Sequence, residues 1–211
     1  NKWGIDFNFI DGKRVTDKKA VKIVEMVLSG DLNKNIVSSI NNQGGSGVGI
    51  SGKDASLVIC EKDNPELGYV GKPIHINTKL ITTLVENDFI PVISPIGTNE
   101  EGETFNINAD TMAGTIASAL KADRLLLLTD VSGVKDKSGN KIEKASTEAI
   151  KKLIKENVIK DGMIPKVNTA IDSIEKGVRA VVILDGSIQN ACLLELFTDH
   201  GVGTLIRKEM N

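Results

Sequence analysis

The sequence has few aromatic residues, and it contains no long apolar run. Aromatic residues make up 3% of the 211 positions, whereas hydrophobic residues together make up 40%. The core must therefore consist mainly of Val, Ile, Leu and Ala, which is typical of buried parallel strands covered by helices. No run approaches the roughly 20 apolar residues that span a bilayer, and the sequence shows no signal-peptide pattern. We therefore expect a cytoplasmic protein that does not bind membranes.

Charge and cysteine content point away from several other classes of protein. The formal net charge of -2 provides no bulk attraction to nucleic acid, so nucleic acid is not expected as a partner. The two cysteines, Cys60 and Cys192, lie far apart in the sequence and lack the spacing of metal ligands. We expect two reduced thiols and no protein-bound metal centre.

Helical and strand patterns alternate nearly throughout the chain. The predicted helices are DKKAVKIVEMVLSG, DLNKNIVSSINNQGG, NTKLITTLVEN, ADTMAGTIASALKA, STEAIKKLIKEN and PKVNTAIDSIEKG, and the clearest strands are FIPVISP, RLLLLTD and VRAVVIL. The first helix is predicted to begin at the N-cap Asp17 and to stop at Gly30. This alternation predicts an α/β fold, a three-layer α/β/α sandwich around a mainly parallel central sheet.

The stretch GVGISGKD, residues 47–54, contains G-x-x-x-x-G-K, which is most of the signature of a phosphate-binding P-loop. A P-loop leads from a strand into a helix, and its next residue is Ser or Thr. Here Asp54 takes that position, and ASLVICE after it has the pattern of a strand. The stretch therefore predicts a tight hairpin between two strands, with GKD at its tip.

The stretch FNINADTMAG, residues 105–114, places polar side chains at alternate positions just before a predicted helix. Asn106, Asn108 and Asp110 can point to one side of the extended chain. Asp110 would then lie in the first helical turn, beside exposed backbone amides. From these residues alone two interpretations stay open: a binding site, or an N-cap formed by Asn108 with Asp110 favourably placed at the helix start.

Two further segments favour a site. TDVSGV, residues 129–134, follows an apolar strand, and open α/β sheets bind ligands beyond the carboxyl ends of their strands. DGMIPKV, residues 161–167, places Lys166 just inside a helix, where the helix dipole disfavours a cation. A bound polyphosphate would explain the position of Lys166, and a solvated lysine is the alternative.

Six segments resemble the amino-acid kinase family, in the family's order: GKRVTD (12–17), VGISGKD (48–54), FNINAD (105–110), LLLLTDVSGV (125–134), DGMIPKVNTAI (161–171) and HGVGTLI (200–206). The resemblance covers essentially the whole chain and is strongest to the branch that acts on N-acetyl-L-glutamate. It implies a fold of the carbamate kinase type. It also implies ATP-dependent phosphorylation of the side-chain carboxylate of N-acetyl-L-glutamate to an acyl phosphate, in arginine biosynthesis.

The resemblance implies roles for individual residues. Arg14 and Asn106 would bind acetylglutamate, and the guanidinium fork of Arg14 suits bidentate capture of the α-carboxylate. Lys166 would neutralise the transferring phosphoryl group, and Asp110 would orient the catalytic lysines. The GKD stretch would be the tip of a hairpin lid over the amino-acid substrate.

On the nucleotide side, the resemblance implies that Thr129, Asp130 and Met163 bind ATP together with Lys166. ATP would be supplied as its Mg²⁺ complex. Such a site works by positioning and positive charge rather than through a nucleophile of the protein.

Family members carry, before the region that matches Asn1, a strand with a catalytic lysine and a glycine-rich phosphate loop, and this sequence contains neither. Because it also begins without Met, we expect it to belong to a longer protein and to be nearly inactive as a kinase by itself. Residues 1–211 would form a single amino-acid kinase domain. Within it, residues 1–97 would complete the lobe that binds acetylglutamate and dimerises, and residues 98–211 would form the nucleotide-binding lobe.

The tail LLELFTDHGVGTLI resembles the arginine-inhibited branch of the family. This implies L-arginine as a feedback inhibitor, at a site that includes His200, Gly201 and Gly203, and a homodimer or a trimer of dimers. For His200, an exposed histidine at a helix end is the alternative. Two other functions stay open: a non-catalytic arginine-sensing module like the kinase-like domain of acetylglutamate synthases, and a kinase for another carboxylate such as glutamate or aspartate.

Overall fold

The chain divides into two compact units, Asn1–Met112 and Ala113–Asn211. The computed structural model describes residues 9–10, 13–198 and 201–209. The two lobes expected from the sequence are functional assignments, and they stay predictions.

Helices and strands alternate in the first unit, as the sequence predicts. Its helices are α1 (Lys18–Glu25), α2 (Asn33–Asn42), α3 (Lys79–Glu86) and the beginning of α4 (Ala109–Ala119). Its strands are β1 (Phe9–Ile10), β2 (Lys13–Arg14), β3 (Gly47–Ser51), β4 (Val58–Lys62), β5 (Gly71–Ile76), β6 (Ile90–Ser94), β7 (Ile96–Thr98) and β8 (Thr104–Asn106).

The strands of the first unit form a parallel pair, β3 with β6, and a mixed sheet in the order β5-β4-β7-β8. In the mixed sheet β4 runs antiparallel to β5 and parallel to β7, and β7 runs antiparallel to β8. A separate short antiparallel pair joins β1 to β2. Strand β8 therefore lies at an edge of its sheet. The buried side chain of Phe105 anchors β8 in the core of this unit.

The prediction that the first helix stops at Gly30 is wrong. Asp17 caps α1 as predicted, since its carboxylate accepts hydrogen bonds from the amides of Lys19 (2.8 Å) and Ala20 (2.7 Å). The chain then continues through a π-helical segment, Met26–Leu32, directly into α2. A glycine ends a helix when it adopts a left-handed conformation, and Gly30 does not.

The prediction of a hairpin between β3 and β4 is also wrong. These strands do not pair with each other: β3 pairs with β6, and β4 pairs with β5 and β7. The segment between them contains a 3₁₀ turn, Asp54–Ser56. The implied hairpin lid with GKD at its tip is therefore absent, and the antiparallel partner of β4 is β5.

A buried asparagine links helix α2 to the parallel pair. The Asn33 carboxamide, 3% exposed, donates to the carbonyls of Ile50 in β3 (3.2 Å) and Val92 in β6 (2.8 Å). Gly49 makes this approach possible, because a Cβ atom at that position would overlap the Asn33 Oδ1. The requirement for glycine at residue 49 thus comes from close packing and not from an unusual backbone angle.

The second unit is built around one mixed sheet in the order β10-β12-β11-β9. Its strands are β9 (Leu125–Thr129), β10 (Lys144–Ser146), β11 (Val181–Asp185) and β12 (Thr204–Arg207), and its helices are the rest of α4 with α5 (Thr147–Lys155), α6 (Met163–Glu175) and α7 (Ala191–Phe197). Strands β9 and β11 are parallel over five residue pairs, as their unbroken aliphatic sequences predict. Antiparallel pairing occurs between β11 and β12.

The core of the second unit is aliphatic. Buried residues of α6, including Val167, Ala170 and Ile171, pack with those of β11, including Val181 and Ile183. The predicted α/β class is confirmed in both units. Within the part of the chain that the structure describes, no helix has both the length and the apolarity that crossing a membrane requires.

Both cysteines are free thiols, and their environments differ. Cys60 is buried in β4, and burial raises the pKa of its thiol to about 12, whereas Cys192 is partly exposed. Because the thiolate is the reactive form, we expect iodoacetamide at pH 8 to modify Cys192 readily and Cys60 only after unfolding. Mass spectrometry of the native and the denatured protein checks this. Equal labelling of both cysteines in the native protein would contradict it.

Candidate active site

Strand β8 and the start of α4 carry the first group of predicted site residues. Asn106 ends β8, and Asp110 lies in the first turn of α4. Between them, the Asn108 carboxamide oxygen accepts a hydrogen bond from the amide of Thr111 at 3.1 Å. The capping interpretation of Asn108 is therefore correct, and it is compatible with a site because Asn106 and Asp110 are not used by that cap.

Hydrogen bonds connect Asn106 to the buried residue Thr16, both directly and through the backbone of Tyr69. The Asn106 Nδ2 donates to the Thr16 hydroxyl at 3.4 Å, and its amide donates to the Tyr69 carbonyl at 2.9 Å. The amide of Tyr69 in turn donates to the Thr16 carbonyl at 2.7 Å. The segment just before α1 is thus fixed to the strand that presents Asn106.

Arg14 lies two residues before Thr16, in β2, where its backbone pairs with Phe9. The start of a helix is a favourable place for an anion. In the structure the Asp17 carboxylate accepts hydrogen bonds from two amides of that first turn. These two amides of the first turn of α1 are therefore already bonded to Asp17.

The nucleotide-side candidates Thr129 and Asp130 lie at the carboxyl end of β9, the edge where ligands of parallel α/β sheets bind. The Thr129 hydroxyl donates to Asp130 Oδ1 at 3.2 Å. Both residues are accessible, and they offer one hydroxyl and one carboxylate to a polar ligand.

Sequence reasoning missed Asp185, which lies opposite Thr129 in the parallel register of β9 and β11. Its carboxylate accepts hydrogen bonds from the Ser187 hydroxyl (2.6 Å) and amide (2.8 Å), and these bonds hold the pKa of Asp185 below its usual value. The signal was available: VVILD ends in an acidic residue just as LLLLTD does. Asp185 is therefore an additional ionised carboxylate at this edge.

Met163 and Lys166 lie in the first turns of α6. Met163 begins the helix, and Lys166 is its fourth residue and is partly buried. Gly162 provides no side-chain cap, and the first turn contains no acidic residue. The helix dipole and the Lys166 ammonium thus both place positive charge here, which favours an anionic ligand.

Of the candidate arginine site, His200 lies outside the described residues. Gly201 and Gly203 both adjoin Glu195, a buried residue of α7, and the Gly203 amide donates to Glu195 Oε2 at 3.2 Å. A Cβ atom at Gly201 would overlap the Glu195 carboxylate. Both glycines therefore have a structural role, because they let the backbone lie close to the buried Glu195 carboxylate.

The predicted site residues fall into two groups. Arg14, Asn106 and Asp110 belong to the first unit, and Thr129, Asp130, Met163 and Lys166 to the second. In the first unit, a hydrogen bond connects Asn106 to Thr16, two residues after Arg14. In the second unit, Asp185 lies at the same strand edge as Thr129 and Asp130.

Comparison with known proteins gives consistent results at the levels of sequence and structure. The sequence profile of the amino acid kinase family matches residues 1–185. The acetylglutamate kinase of Ruegeria pomeroyi is 57% identical over 208 residues, which are 99% of this chain and 72% of that protein.

Two solved structures share the fold over nearly the whole chain. The protein smu.665 of Streptococcus mutans is 33% identical, with a TM-score of 0.82, and the match covers 97% of this chain and 78% of that one. N-acetylglutamate synthase of Neisseria gonorrhoeae, in complex with coenzyme A and N-acetyl-glutamate, is 24% identical with a TM-score of 0.88. That match covers 100% of this chain and 49% of the synthase. The predicted fold type is therefore confirmed.

Proposed function

The chain belongs to the amino acid kinase family, and we propose that it transfers the γ-phosphoryl group of ATP to the side-chain carboxylate of N-acetyl-L-glutamate, in arginine biosynthesis. The observation that carries this proposal is the 57% identity to an acetylglutamate kinase over 99% of the chain. A carboxylate oxygen attacks the γ-phosphorus, and the bond from that phosphorus to the oxygen bridging it to the β-phosphate breaks. ADP leaves, and an acyl phosphate is formed.

On the acceptor side, Arg14 and Asn106 hold acetylglutamate. The guanidinium group pairs with the α-carboxylate, which is the ionised group that does not react. Asn106 provides a carboxamide whose orientation is supported by its hydrogen bond to the Thr16 hydroxyl. Together these contacts select an acidic amino-acid derivative and fix the direction in which its side chain points.

On the phosphoryl side, Lys166 stabilises the negative charge of the group in transfer. The chemistry requires no covalent intermediate with the protein, because positioning and positive charge supply most of the catalysis of phosphoryl transfer. The first turn of α6 supports this role, since it adds the positive end of a helix and no acidic side chain. The resemblance to the family assigns Asp110 the role of the carboxylate that orients the catalytic lysines.

ATP binds at the carboxyl edge of β9 and β11, where Thr129 and Asp130 lie beside Asp185, and against Met163 at the start of α6. Among the described residues no group of three or more His, Cys, Asp or Glu side chains gathers to hold a metal. Mg²⁺ would be bound mainly by the nucleotide's own phosphates and by water. When bound, Mg²⁺ supplies neutralisation of the phosphate charge.

Regulation and assembly belong to the same proposal. L-Arginine would bind near Gly201 and Gly203 as a feedback inhibitor, and the protein would assemble as a homodimer or a trimer of such dimers. The buried Glu195 beside both glycines supports a site for a cation in this region.

The alternative function is a non-catalytic arginine-sensing module like the kinase-like domain of acetylglutamate synthases. The fold matches an acetylglutamate synthase with a TM-score of 0.88. At 24% identity this match carries the fold alone, whereas the match to the kinase has 57% identity. Assays of the intact protein for ADP release with acetylglutamate, glutamate and aspartate separate the functions. Release with acetylglutamate alone is expected, and release with none of the three would leave the sensing function.

Arg14→Ala is expected to raise KM for acetylglutamate about 10- to 150-fold, because a charged bidentate hydrogen bond contributes about 1.5–3 kcal/mol. KM for ATP should change less than about twofold, since the contact is with the acceptor. Steady-state kinetics with each substrate varied in turn measures both constants. A matched control is Arg179→Ala, which removes an exposed ion pair with Asp123. A larger effect of Arg14→Ala on ATP than on acetylglutamate would assign Arg14 to the nucleotide.

A further inference from the structure

The connection between β3 and β4, residues 52–56 and here termed the GKD loop, is unusually well fixed for a surface connection. The Asp54 carboxylate accepts hydrogen bonds from the Ser51 amide (2.6 Å) and hydroxyl (2.8 Å). The Asn77 carboxamide donates to the Ala55 carbonyl at 3.2 Å. Ala55 and Ser56 both have positive φ, near 50°, a conformation that costs free energy for non-glycine residues.

This fixed loop presents the Lys53 ammonium to two other segments. The ammonium donates to Glu25 Oε1 at 2.8 Å and to the Thr104 hydroxyl at 2.9 Å, while that hydroxyl lies 3.5 Å from Glu25 Oε2. The Lys53 and Glu25 side chains are about one-third exposed, at 35% and 32%. The three residues thus close a triangle of charge-assisted hydrogen bonds that joins the end of α1, the GKD loop and β8.

The strand that Lys53 contacts is the one that presents Asn106. Thr104 and Asn106 are two residues apart in β8, so their side chains lie on the same face of the strand. β8 has only three residues; it pairs with β7 on one side, and on the other side Asn106, at its end, forms a bridge with Val70. Thr104 lies at the opposite end of the strand, and the bond from Lys53 therefore supports the end away from that bridge.

The GKD loop also packs against the neighbours of Asp110. A Cβ atom at Gly52 would collide with the Ile96 carbonyl and would lie 3.1 Å from the terminal methyl group of Met112. Met112 is buried in α4, two residues beyond Asp110. The loop is therefore in contact with both segments that carry first-unit site residues, β8 and the start of α4.

We infer that Lys53 is a positioning residue for the acceptor site: by holding Thr104 and Glu25 together it fixes β8 so that Asn106 meets acetylglutamate in the correct orientation. The inference rests on the proposed function. Lys53 does not itself touch the substrate in this role. In this role the GKD loop holds β8 in position and does not cover the site.

The test is a set of variants of the intact protein, assayed for ADP release with each substrate varied in turn. Lys53→Met, which keeps the length of the side chain and removes its charge, is expected to raise KM for acetylglutamate about tenfold, because small displacements of positioning groups have large effects. KM for ATP should stay within about twofold. The value of kcat should change little, because the lost interaction stabilises the bound substrate and the transition state equally. Lys53→Arg should restore most of the affinity for acetylglutamate.

Lys72→Met is the matched control, since it removes a lysine of the same unit from an exposed pair with Glu61 (3.2 Å, side chains 61% and 53% exposed). It should leave both KM values unchanged.

If Lys53→Met does not fold, Thr104→Val removes the same hydrogen bond without a change of charge and should raise KM for acetylglutamate alone. A lowered melting temperature with both KM values unchanged would show a purely structural role and overturn the inference. Absence of turnover with acetylglutamate in the unsubstituted protein would instead overturn the proposed function, and the inference with it.

Discussion

Lys166→Met is expected to lower kcat about 100- to 1000-fold in the intact protein, while KM for acetylglutamate stays within about twofold. Methionine preserves the length of the side chain but removes the ammonium, whose attraction to the phosphoryl group increases as the transition state is approached. Nothing in the first turn of α6 can substitute for this charge, because that turn contains no other basic residue. Steady-state ADP release at saturating ATP measures the effect.

Lys176→Met provides the control for Lys166, because Lys176 is the C-cap residue of the same helix and lies at its opposite end. Its kcat should equal that of the unsubstituted protein. Asp110→Asn is expected to lower kcat as well, since the carboxamide carries no charge to orient a lysine. Near-normal turnover in both Lys166→Met and Asp110→Asn would show that the catalytic assignment is wrong.

Gly49→Ala is expected to destabilise the first unit by about 3 kcal/mol, which corresponds to a loss of about 6–12 °C in melting temperature for a chain of this size. The added Cβ atom would displace the Asn33 carboxamide, and the carbonyls of Ile50 and Val92 would then lose this donor. These carbonyls are partly buried, so water replaces the lost hydrogen bonds only in part. Thermal unfolding followed by circular dichroism measures the shift.

A double substitution tests whether the clash with Asn33 is the cause. Asn33→Ala removes the same two hydrogen bonds, so the double variant Asn33→Ala/Gly49→Ala should be little less stable than the worse single variant. Gly30→Ala is the control for the loss of a glycine, since a Cβ atom there has no neighbour within 4 Å, and it should leave stability unchanged or slightly higher. Fully additive losses would mean that Gly49 is required for a different reason.

Periodicity predicted the second unit well because its signals are local. The sequences LLLL and VVIL lie in β9 and β11, which are parallel neighbours. The aliphatic residues of β11 are all buried, whereas β9 is the edge strand of the sheet, with Leu125 and Leu127 buried and Leu128 exposed. A strand buried on both faces has a continuous apolar sequence, which is hard to confuse with a loop. Here sequence and structure agree on class, on element type and on the polar residues that follow β9.

The first unit was predicted less well because its pairing is not local. The spacing of GVGIS and ASLVICE is compatible with a hairpin, but the partner of β3 is β6, about 40 residues further along the chain. Likewise, Gly30 has the sequence context of a helix end, yet the chain continues through it as a π-helical segment, because Gly30 does not adopt the left-handed conformation. Neither error is visible in a short window of sequence.

The site residues came partly from local patterns and partly from the family resemblance. Local patterns singled out Asn106, Asp110 and Lys166 and left a capping role for Asn108 open, whereas the resemblance added Arg14 and the role of each residue. Lys53 was missed because its partners are 28 and 51 residues away, so no motif contains the triangle.

The π-helical segment Met26–Leu32 has a consequence for how chains of this fold can differ in length. Its hydrogen bonds reach one residue further than those of an α-helix, so its turns accommodate an extra residue over the same rise. A related chain that lacks one residue in this stretch can close it as ordinary α-helix, and Asn33 will still face β3 and β6. The same deletion within α1 would rotate every following position by about 100°. Single-residue insertions and deletions in homologues are therefore expected between residues 26 and 32, and not in the helices on either side.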